Sequence, residues 1–262
     1  MAADEFDPKI LADIRRSLEE LDELRVSTEA YLRAPVEPGS LEVGDRALPD
    51  ARYVVIYAGQ ALGAAIDHLT AWRAVIHGPV VPMQAHFTLL RGAIEGSTRS
   101  RWHVDASQDS GTRVGRGIAA RREDQLQRKG FEASLARIPK PTSPTGRTAA
   151  QRVAELDARP AAIARRDAGI RSVPYDGTTA VAKAFGLEAV YRLTSGLAHG
   201  REWALAGLVL HQEAGSPGIA PGVGHGRFTT SEPLSKYVSD AALSSTRRAV
   251  DDLRRYREQS RS

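Results

Sequence analysis

The sequence contains no cysteine, and this absence excludes several classes of protein. Disulfide-stapled folds, zinc sites built on thiolates and cysteine nucleophiles all need a side chain that the chain lacks. No apolar run approaches the roughly 18 residues of a membrane-spanning helix. The acidic start, Met1–Asp7, is unlike the basic start of a secretory signal. We therefore expect a cytoplasmic protein that does not associate with membranes.

The chain has an ordinary globular composition with an uneven distribution of charge. Hydrophobic residues make up 42% and charged residues 26% of the 262 residues, which is enough for a substantial core. The first 50 residues contain 13 Asp and Glu against 6 Lys and Arg, whereas the whole chain carries a net charge of +4. The remainder is therefore basic, which favours a phosphate-bearing partner such as RNA. The alternative is a set of solvated, arginine-rich helix faces.

Apolar residues recur at helical spacing through most of the chain. The spacing predicts helices over 7–33, 50–76, 82–104, 110–138, 148–168, 178–186, 187–210 and 231–257. Exposed loops are predicted at 34–49, 139–147 and 212–228. We predict one all-α domain over 1–262, an elaborated helical bundle with a short β-hairpin near 208–230.

The two ends of the chain carry opposite charge. The predicted N-terminal helix is acidic and the predicted C-terminal helix ends in basic residues. Each could meet its opposite on a second copy of the chain, which predicts a homodimer.

The most informative motif lies within the predicted helix 187–210. Arg192, Ser195 and His199 follow one another at spacings of three and four, so a helix would place them on one face. A histidine can move a proton to or from a hydroxyl, and an arginine can hold a phosphate and its developing charge. The motif predicts a catalytic set in which His199 is the acid and base, Arg192 the phosphate clamp and Ser195 a positioning hydroxyl.

A second motif is the segment Leu89–Glu95, with the sequence LLRGAIE. Arg91 and Glu95 are four residues apart and can face each other on a helix. If the pair is buried, it needs further hydrogen-bonding partners. The candidates for these hydrogen-bonding partners are His68, Ser195 and His199.

Two interpretations of these polar residues stay open. One is a buried network that fixes the register of the helices. The other is a nucleotide or phosphate pocket lined by Arg91 and Arg192, in which Glu95 orients His199. In the second interpretation the binding residues are Arg91, Glu95, Tyr191 and His68.

The spacing of Arg192 and His199 resembles the motif of the HEPN superfamily, in which an arginine is followed after four to six residues by a histidine on one helix. Six residues separate the two here. The resemblance implies a homodimer whose facing helices cleave RNA without a metal, as in a toxin or defence component. The LLRxxxE helix, followed by a helix with Ser195 and His199, also resembles uncharacterised bacterial helical domains.

Other functions fit the same residues. The chain could be a non-enzymatic interaction or regulatory module for a partner protein, or a small-ligand sensor, so the sequence does not decide whether it is an enzyme. We expect no cofactor and no metal, because His, Asp and Glu do not recur at ligand spacing on any predicted helix. Exposure separates the alternatives: an active site needs an accessible His199, whereas a structural network buries and satisfies it.

Overall fold

The computed structural model of the chain describes residues 7–79, 81–82, 84–135, 147–206, 210–212, 226–228 and 231–258. These residues are mostly helical, which confirms the predicted all-α class. The helices are α1 Pro8–Ser17, α2 Leu21–Arg33, α3 Leu41–Arg46, α4 Arg52–His77, α5 Ala85–His103, α6 Ser110–Leu135, α7 Ala149–Asp157, α8 Arg159–Asp167, α9 Thr178–Ala184, α10 Glu188–Ala198, α11 Glu202–Ala206 and α12 Glu232–Arg257.

Two short strands accompany the helices. Strands β1 (Leu210–Gln212) and β2 (Gly226–Phe228) pair antiparallel, with Leu210 opposite Phe228. They lie within the stretch 208–230 for which the sequence predicts a hairpin. Most of the predicted loops 139–147 and 212–228 lies outside the described residues.

The chain divides into two compact units. Unit 1 comprises Met1–Arg33, Gln60–Ser100 and Gly177–Asp251, and unit 2 comprises Ala34–Gly59, Arg101–Asp176 and Asp252–Ser262. The boundaries fall within α4, α5 and α12, so each of these helices contributes residues to both units. A single domain over 1–262 stays a prediction.

The predicted helix 7–33 is two helices, so that prediction is wrong in its continuity. Asp7 caps α1 by accepting from the amide of Lys9 at 2.8 Å, and Pro8 occupies the first turn. No glycine or proline marks the break between α1 and α2. Leu18 and Leu21 on either side of it are both buried in the core, and this packing overrides local helix propensity.

The predicted helix 148–168 is also two helices. α7 ends at Asp157 and α8 begins at Arg159, with Pro160 in its first turn. Proline fits a first turn because its missing amide hydrogen is not needed there. In contrast, α6 continues through Gly130 to Leu135 without a break.

The core of unit 1 is built from several helices that surround α5. Its buried residues include Leu69, Trp72 and Ile76 of α4, Phe87, Leu90 and Ile94 of α5, Val190 and Leu197 of α10, and Val238 and Leu243 of α12. Helices α4 and α5 approach closely at Gly96, where an added Cβ would lie 2.5 Å from the carbonyl oxygen of Ala61.

The acidic residues of the N-terminal helices find basic partners within their own chain. Arg73 of α4 donates to both carboxylate oxygens of Asp22, at 3.0 and 3.1 Å. Arg247 of α12 donates to Glu20. Both pairs lie within one chain, and the predicted homodimer stays a prediction.

Unit 2 contains the largest departure from the predicted loops. The segment 34–49, predicted as an exposed loop, contains α3, which Ser40 caps. Two of its acidic residues, Glu42 and Asp45, are buried at 2% and 0% exposure. They are buried because arginines from distant parts of the chain neutralise them.

The best-formed of these pairs joins Asp45 to Arg113 of α6. The guanidinium donates twice, at 2.9 Å to Oδ2 and 2.7 Å to Oδ1, and the hydroxyl of Tyr256 donates to Oδ2 at 2.9 Å. Arg257 donates to Glu42 at 2.8 Å. Burial and the neighbouring Asp45 carboxylate raise the pKa of Tyr256 far above its usual value, so the phenol stays a donor.

None of the helices within the described residues is both long enough and apolar enough to cross a membrane.

The Asp45–Arg113 pair makes unit 2 sensitive to the loss of either partner. Asp45→Asn leaves the Arg113 guanidinium buried without its counter-charge, and we expect a loss of about 3–5 kcal/mol of unfolding free energy. Urea denaturation measures the loss. The matched control is Asp22→Asn, which removes an exposed pair and should leave the midpoint almost unchanged. Equal effects of the two substitutions would contradict this account.

His86 of α5 is a fully buried titratable group in unit 1. Its ring stacks on Trp72 at 5.0 Å, Nδ1 lies 2.6 Å from the carbonyl oxygen of Pro82, and Nε2 lies 3.1 Å from the hydroxyl of Ser235. Burial lowers the pKa of His86 to about 4, although the bond to Pro82 acts in the opposite direction.

The lowered pKa of His86 predicts a loss of stability in acid. An unfolded histidine titrates near pH 6.5, so the stabilising contribution is full above that value and falls as the pH drops towards 4. The expected loss is about 3 kcal/mol, measured by urea denaturation at several pH values. His86→Gln should flatten the dependence, whereas His77→Gln, at an exposed position, should retain it. If the unfolding free energy of His86→Gln depends on pH as strongly as that of the native chain, the loss of stability in acid does not come from His86.

Candidate functional site

Arg91 on α5 is the centre of a polar cluster in unit 1. Its Nε donates to Oε1 of Glu95 at 3.0 Å, one helical turn away. Its Nη1 lies 2.9 Å from Nε2 of His199, and its Nη2 lies 3.5 Å from the hydroxyl of Tyr191. One guanidinium therefore joins the two motifs that the sequence singles out, across a separation of 108 residues.

Tyr191 and Glu95 complete the surroundings of Arg91. The Tyr191 hydroxyl donates to Oε1 of Glu95 at 2.9 Å, and the guanidinium carbon of Arg91 lies 5.5 Å from the centre of the Tyr191 ring. Burial followed by the Glu95 contact raises the pKa of Tyr191. Burial alone would lower the pKa of Arg91, but the Glu95 carboxylate raises it on balance. At neutral pH the phenol stays protonated and the guanidinium charged.

The contact between Arg91 and His199 defines the state of the imidazole. A guanidinium has donors only, so Nε2 of His199 must accept the hydrogen bond. The hydrogen of the neutral ring then lies on Nδ1. The basic nitrogen of His199 is thus occupied in this structure, while the residue as a whole is exposed.

The position of His199 differs from the prediction, because the helix ends before it. α10 stops at Ala198, and His199 is its C-cap rather than a residue of a continuous helix 187–210. Gly200 adopts φ 61°, and the amide of Arg201 donates to the carbonyl of Gly196 at 2.8 Å. This closure of a helix end depends on glycine, which takes a positive φ without steric cost.

A cleft of about 410 Å³ lies beside this helix end, and we call it the His199 cleft. Its lining carries two arginines, a histidine, hydroxyl groups and an indole, and among the residues that line it there is no carboxylate. The lining residues are Thr179, Tyr191, Arg192, Ser195, Gly196, His199, Arg201 and Trp203. Such a cleft favours an anionic ligand.

Trp203 provides a flat aromatic surface at this cleft. It is 59% exposed, whereas Trp72 and Trp102 are buried. Gly196 of α10 allows the indole to lie close, since a Cβ there would be 2.6 Å from Cζ2 of Trp203. An exposed indole beside two arginines is a surface on which a nucleobase can stack.

The predicted site residues fall into two groups. Arg192, Ser195, His199 and Tyr191 line the cleft together. Arg192 is exposed and its Nε donates to Glu188 at 2.9 Å. The second group, Arg91 and Glu95, is not among the lining residues, but Nη1 of Arg91 lies at the edge of the cleft, 2.9 Å from His199. Glu95 accepts from Arg91, and Arg91 in turn contacts His199, so the predicted orientation of His199 by Glu95 would act through Arg91.

His68 has a different place from the one predicted. Its ring packs against Gly92 of α5, where an added Cβ would lie 2.4 Å from Nε2. Among the described residues it shares no hydrogen bond with Arg91, Glu95 or His199. We therefore assign His68 to the packing of α4 on α5, next to the cluster.

Sequence reasoning missed Thr179, Arg201 and Trp203. Gly200, directly after His199, is the signal that could have found the last two, because a glycine there ends the helix and returns the chain to the cleft. Within the described part of the chain the guanidinium of Arg201 has no hydrogen-bonding or ion-pair partner. Arg201 is thus the cation of the cleft that is free to bind a ligand.

Among the described residues no group of three or more His, Asp and Glu side chains is placed to hold a metal ion. No family model, curated protein or solved structure matches the chain.

The Arg91–His199 contact predicts a specific tautomer of the imidazole. In the native protein, neutral His199 should carry its hydrogen on Nδ1, the less common tautomer of free histidine. Nitrogen NMR of histidine-labelled protein distinguishes the two ring forms. Arg91→Met should return His199 to the form with hydrogen on Nε2, while Arg192→Met should leave the tautomer unchanged. A ring protonated on Nε2 in the native protein would contradict the contact.

Proposed function

We propose that the chain is a HEPN-like protein that binds RNA in the His199 cleft and cleaves it without a metal. The observation that carries the proposal is the exposed His199 in a cleft that also presents Arg192, Arg201 and the indole of Trp203. These groups match the parts of a nucleotide: guanidinium groups suit the phosphate, and the indole suits the base.

The arrangement supports a role for Arg91 as the residue that holds His199 until substrate arrives. A phosphodiester entering the cleft offers Arg91 an anionic acceptor that is stronger than a neutral imidazole nitrogen. Transfer of the Arg91 hydrogen bond to the phosphate would free Nε2 of His199. The freed nitrogen can then accept the proton of a ribose 2′-hydroxyl.

The proposed reaction is an internal transfer within RNA. His199 takes the 2′-hydroxyl proton, the 2′-oxygen attacks the adjacent phosphorus, and the bond to the 5′-oxygen breaks. Water protonates the leaving oxygen. Arg192 and Arg201 stabilise the charge that develops on the phosphate oxygens. The products are a 2′,3′-cyclic phosphate and a free 5′-hydroxyl.

The test is cleavage of a mixed RNA pool in EDTA by the purified chain and by variants purified in parallel. We expect His199→Ala to lower the rate by on the order of a hundredfold or more, as the loss of a general base does. The matched control is His77→Ala, an exposed histidine of α4, which should cleave like the native chain. DNA of the same sequence lacks the 2′-hydroxyl and should stay intact.

An RNA-binding assay separates the proposed ribonuclease from a protein that binds nucleotides without cleaving them. Anisotropy of a labelled RNA oligonucleotide should show roughly tenfold weaker binding for Trp203→Ala, because one stacked base contributes about 1–3 kcal/mol. Binding without cleavage would leave a nucleotide-binding protein. If native chain, His77→Ala and His199→Ala behave alike in both assays, the proposal fails.

A second candidate is a non-enzymatic interaction or regulatory module, and one observation favours it. Nε2 of His199 is already engaged by Arg91, and Glu95 and Tyr191 complete a hydrogen-bonded network. In that case His199→Ala would lower the melting temperature without changing any reaction. A partner protein would then contact the surface around the cleft.

The proposal includes a homodimer and a cytoplasmic location. The dimer follows from the resemblance and from the opposite charges of the two ends of the chain, although Asp22 and Glu20 pair within their own chain. Sedimentation equilibrium of the purified chain tests it directly, and a strictly monomeric mass at micromolar concentration would remove it.

A further inference from the structure

A second cleft, of about 670 Å³, lies in unit 2 and is separate from the His199 cleft. It is enclosed by α6, α7, α8 and the segment 170–173, and we call it the α8 cleft. Small-molecule sites commonly have volumes of roughly 300–1,000 Å³. The α8 cleft is therefore large enough for an organic ligand, and an inference about it does not depend on the proposed function.

One side of the α8 cleft is apolar and only partly covered. None of the nine residues of α8 is buried, and Ile163 is 40% exposed although it lines the cleft. Ile118 of α6 and Leu156 of α7 line it as well. A helix normally buries one face against its neighbours, so α8 retains apolar surface that an occupant would cover.

The charged lining of the α8 cleft is strongly positive. Five arginines and one aspartate line it. Four of the arginines are held by carboxylates: Arg122 by Asp157 at 2.8 Å, Arg165 by Asp50 at 3.1 Å, Arg166 by Asp167 at 3.4 Å and Arg171 by Asp109 at 2.6 Å. These four are already neutralised by their partners.

The fifth arginine, Arg159, is the exception. Across the described ranges its guanidinium has no hydrogen-bonding or ion-pair partner. It lies in the first turn of α8, one turn before Ile163. The α8 cleft thus offers one uncompensated positive charge beside an apolar surface, and this combination defines the complementary ligand.

We propose that the α8 cleft binds a small organic anion with an apolar body and a single anionic head group, such as a carboxylate or a sulfonate. Arg159 pairs with the head group, as guanidinium groups pair with planar oxyanions through two parallel hydrogen bonds. Ile163 and Leu156 cover the apolar body. The four paired arginines shape the rim.

The experiment uses the full chain and two fluorescent probes that differ in one group. Anilinonaphthalene sulfonate has an apolar ring system and one sulfonate, and phenylnaphthylamine has the same rings without the charge. We expect saturable binding of the sulfonate at one site per chain, and at least tenfold weaker binding of the neutral probe. Binding is followed by fluorescence titration at a temperature well below the melting transition.

Two substitutions locate the site, and one controls for charge. Arg159→Gln removes the free guanidinium and should weaken sulfonate binding by about tenfold, the usual size of a charge-assisted hydrogen bond. Ala162→Trp should fill the cleft and abolish binding of both probes. The control is Arg152→Gln on α7, which removes an arginine outside the lining and should bind the sulfonate like the native chain.

Four outcomes are possible. The pattern above supports the proposal. Binding of the sulfonate that is unchanged in Arg159→Gln and Ala162→Trp places the probe elsewhere and overturns it. Equal binding of both probes, lost only in Ala162→Trp, overturns the role of Arg159. The absence of saturable binding to the native chain overturns the proposal as a whole, and the melting temperature of each variant verifies that it is folded.

Discussion

The candidate site of unit 1 depends on one guanidinium, that of Arg91. It is the only described side chain that contacts both the Glu95–Tyr191 pair and His199, and it joins α5 to the end of α10. An arginine is suited to this position because its planar fork directs several donors at once and its charge persists when partly buried. A lysine could not serve Glu95 and His199 in the same geometry. The rotamer and the tautomer of His199 follow from this contact.

Most of the arginines discussed above have structural roles. Composition alone makes the basic remainder of the sequence look like a nucleic-acid surface. In the structure Arg113 and Arg257 neutralise buried carboxylates of α3, and Arg73 of α4 and Arg247 of α12 pair with acidic residues of the N-terminal segment. An arginine paired with a carboxylate must share its donors with a ligand, so the arginines without such a partner among the described residues are the most available. Arg201 and Arg159 are such cations, and each lies in a cleft.

The sequence predicts the helices well because their signals are local, but it does not predict the helix ends and the buried charges. Apolar spacing identifies α4, α5 and α12 to within a few residues. The break after Leu18 carries no glycine or proline and results from burial, which a local pattern does not contain. The sequence does not predict α3, because the acidic residues Glu42 and Asp45 are typical of an exposed loop. Their burial depends on Arg113 and Arg257, which are distant in sequence.

The distinction between local signals and long-range contacts also applies to the candidate site of unit 1. Arg91, Glu95, Tyr191 and His199 are all predicted, and the structure brings them together. The predicted common face of Arg192, Ser195 and His199 assumes an uninterrupted helix, whereas Gly200 ends α10 and adds Arg201 and Trp203 to the cleft. The sequence contained that glycine, but its effect depends on a backbone conformation that apolar spacing does not report.

The His199 cleft and the Arg91–His199 bond differ in how far apart along the chain the residues that form them lie. Apart from Thr179, the lining of the His199 cleft comes from the stretch 191–203, so it assembles at a small cost in loop-closure entropy. The Arg91–His199 bond spans 108 residues and forms only when α5 docks on α10. We therefore expect the local contacts of the cleft to form before the Arg91–His199 bond, so that the imidazole of His199 is free to turn until α5 has docked.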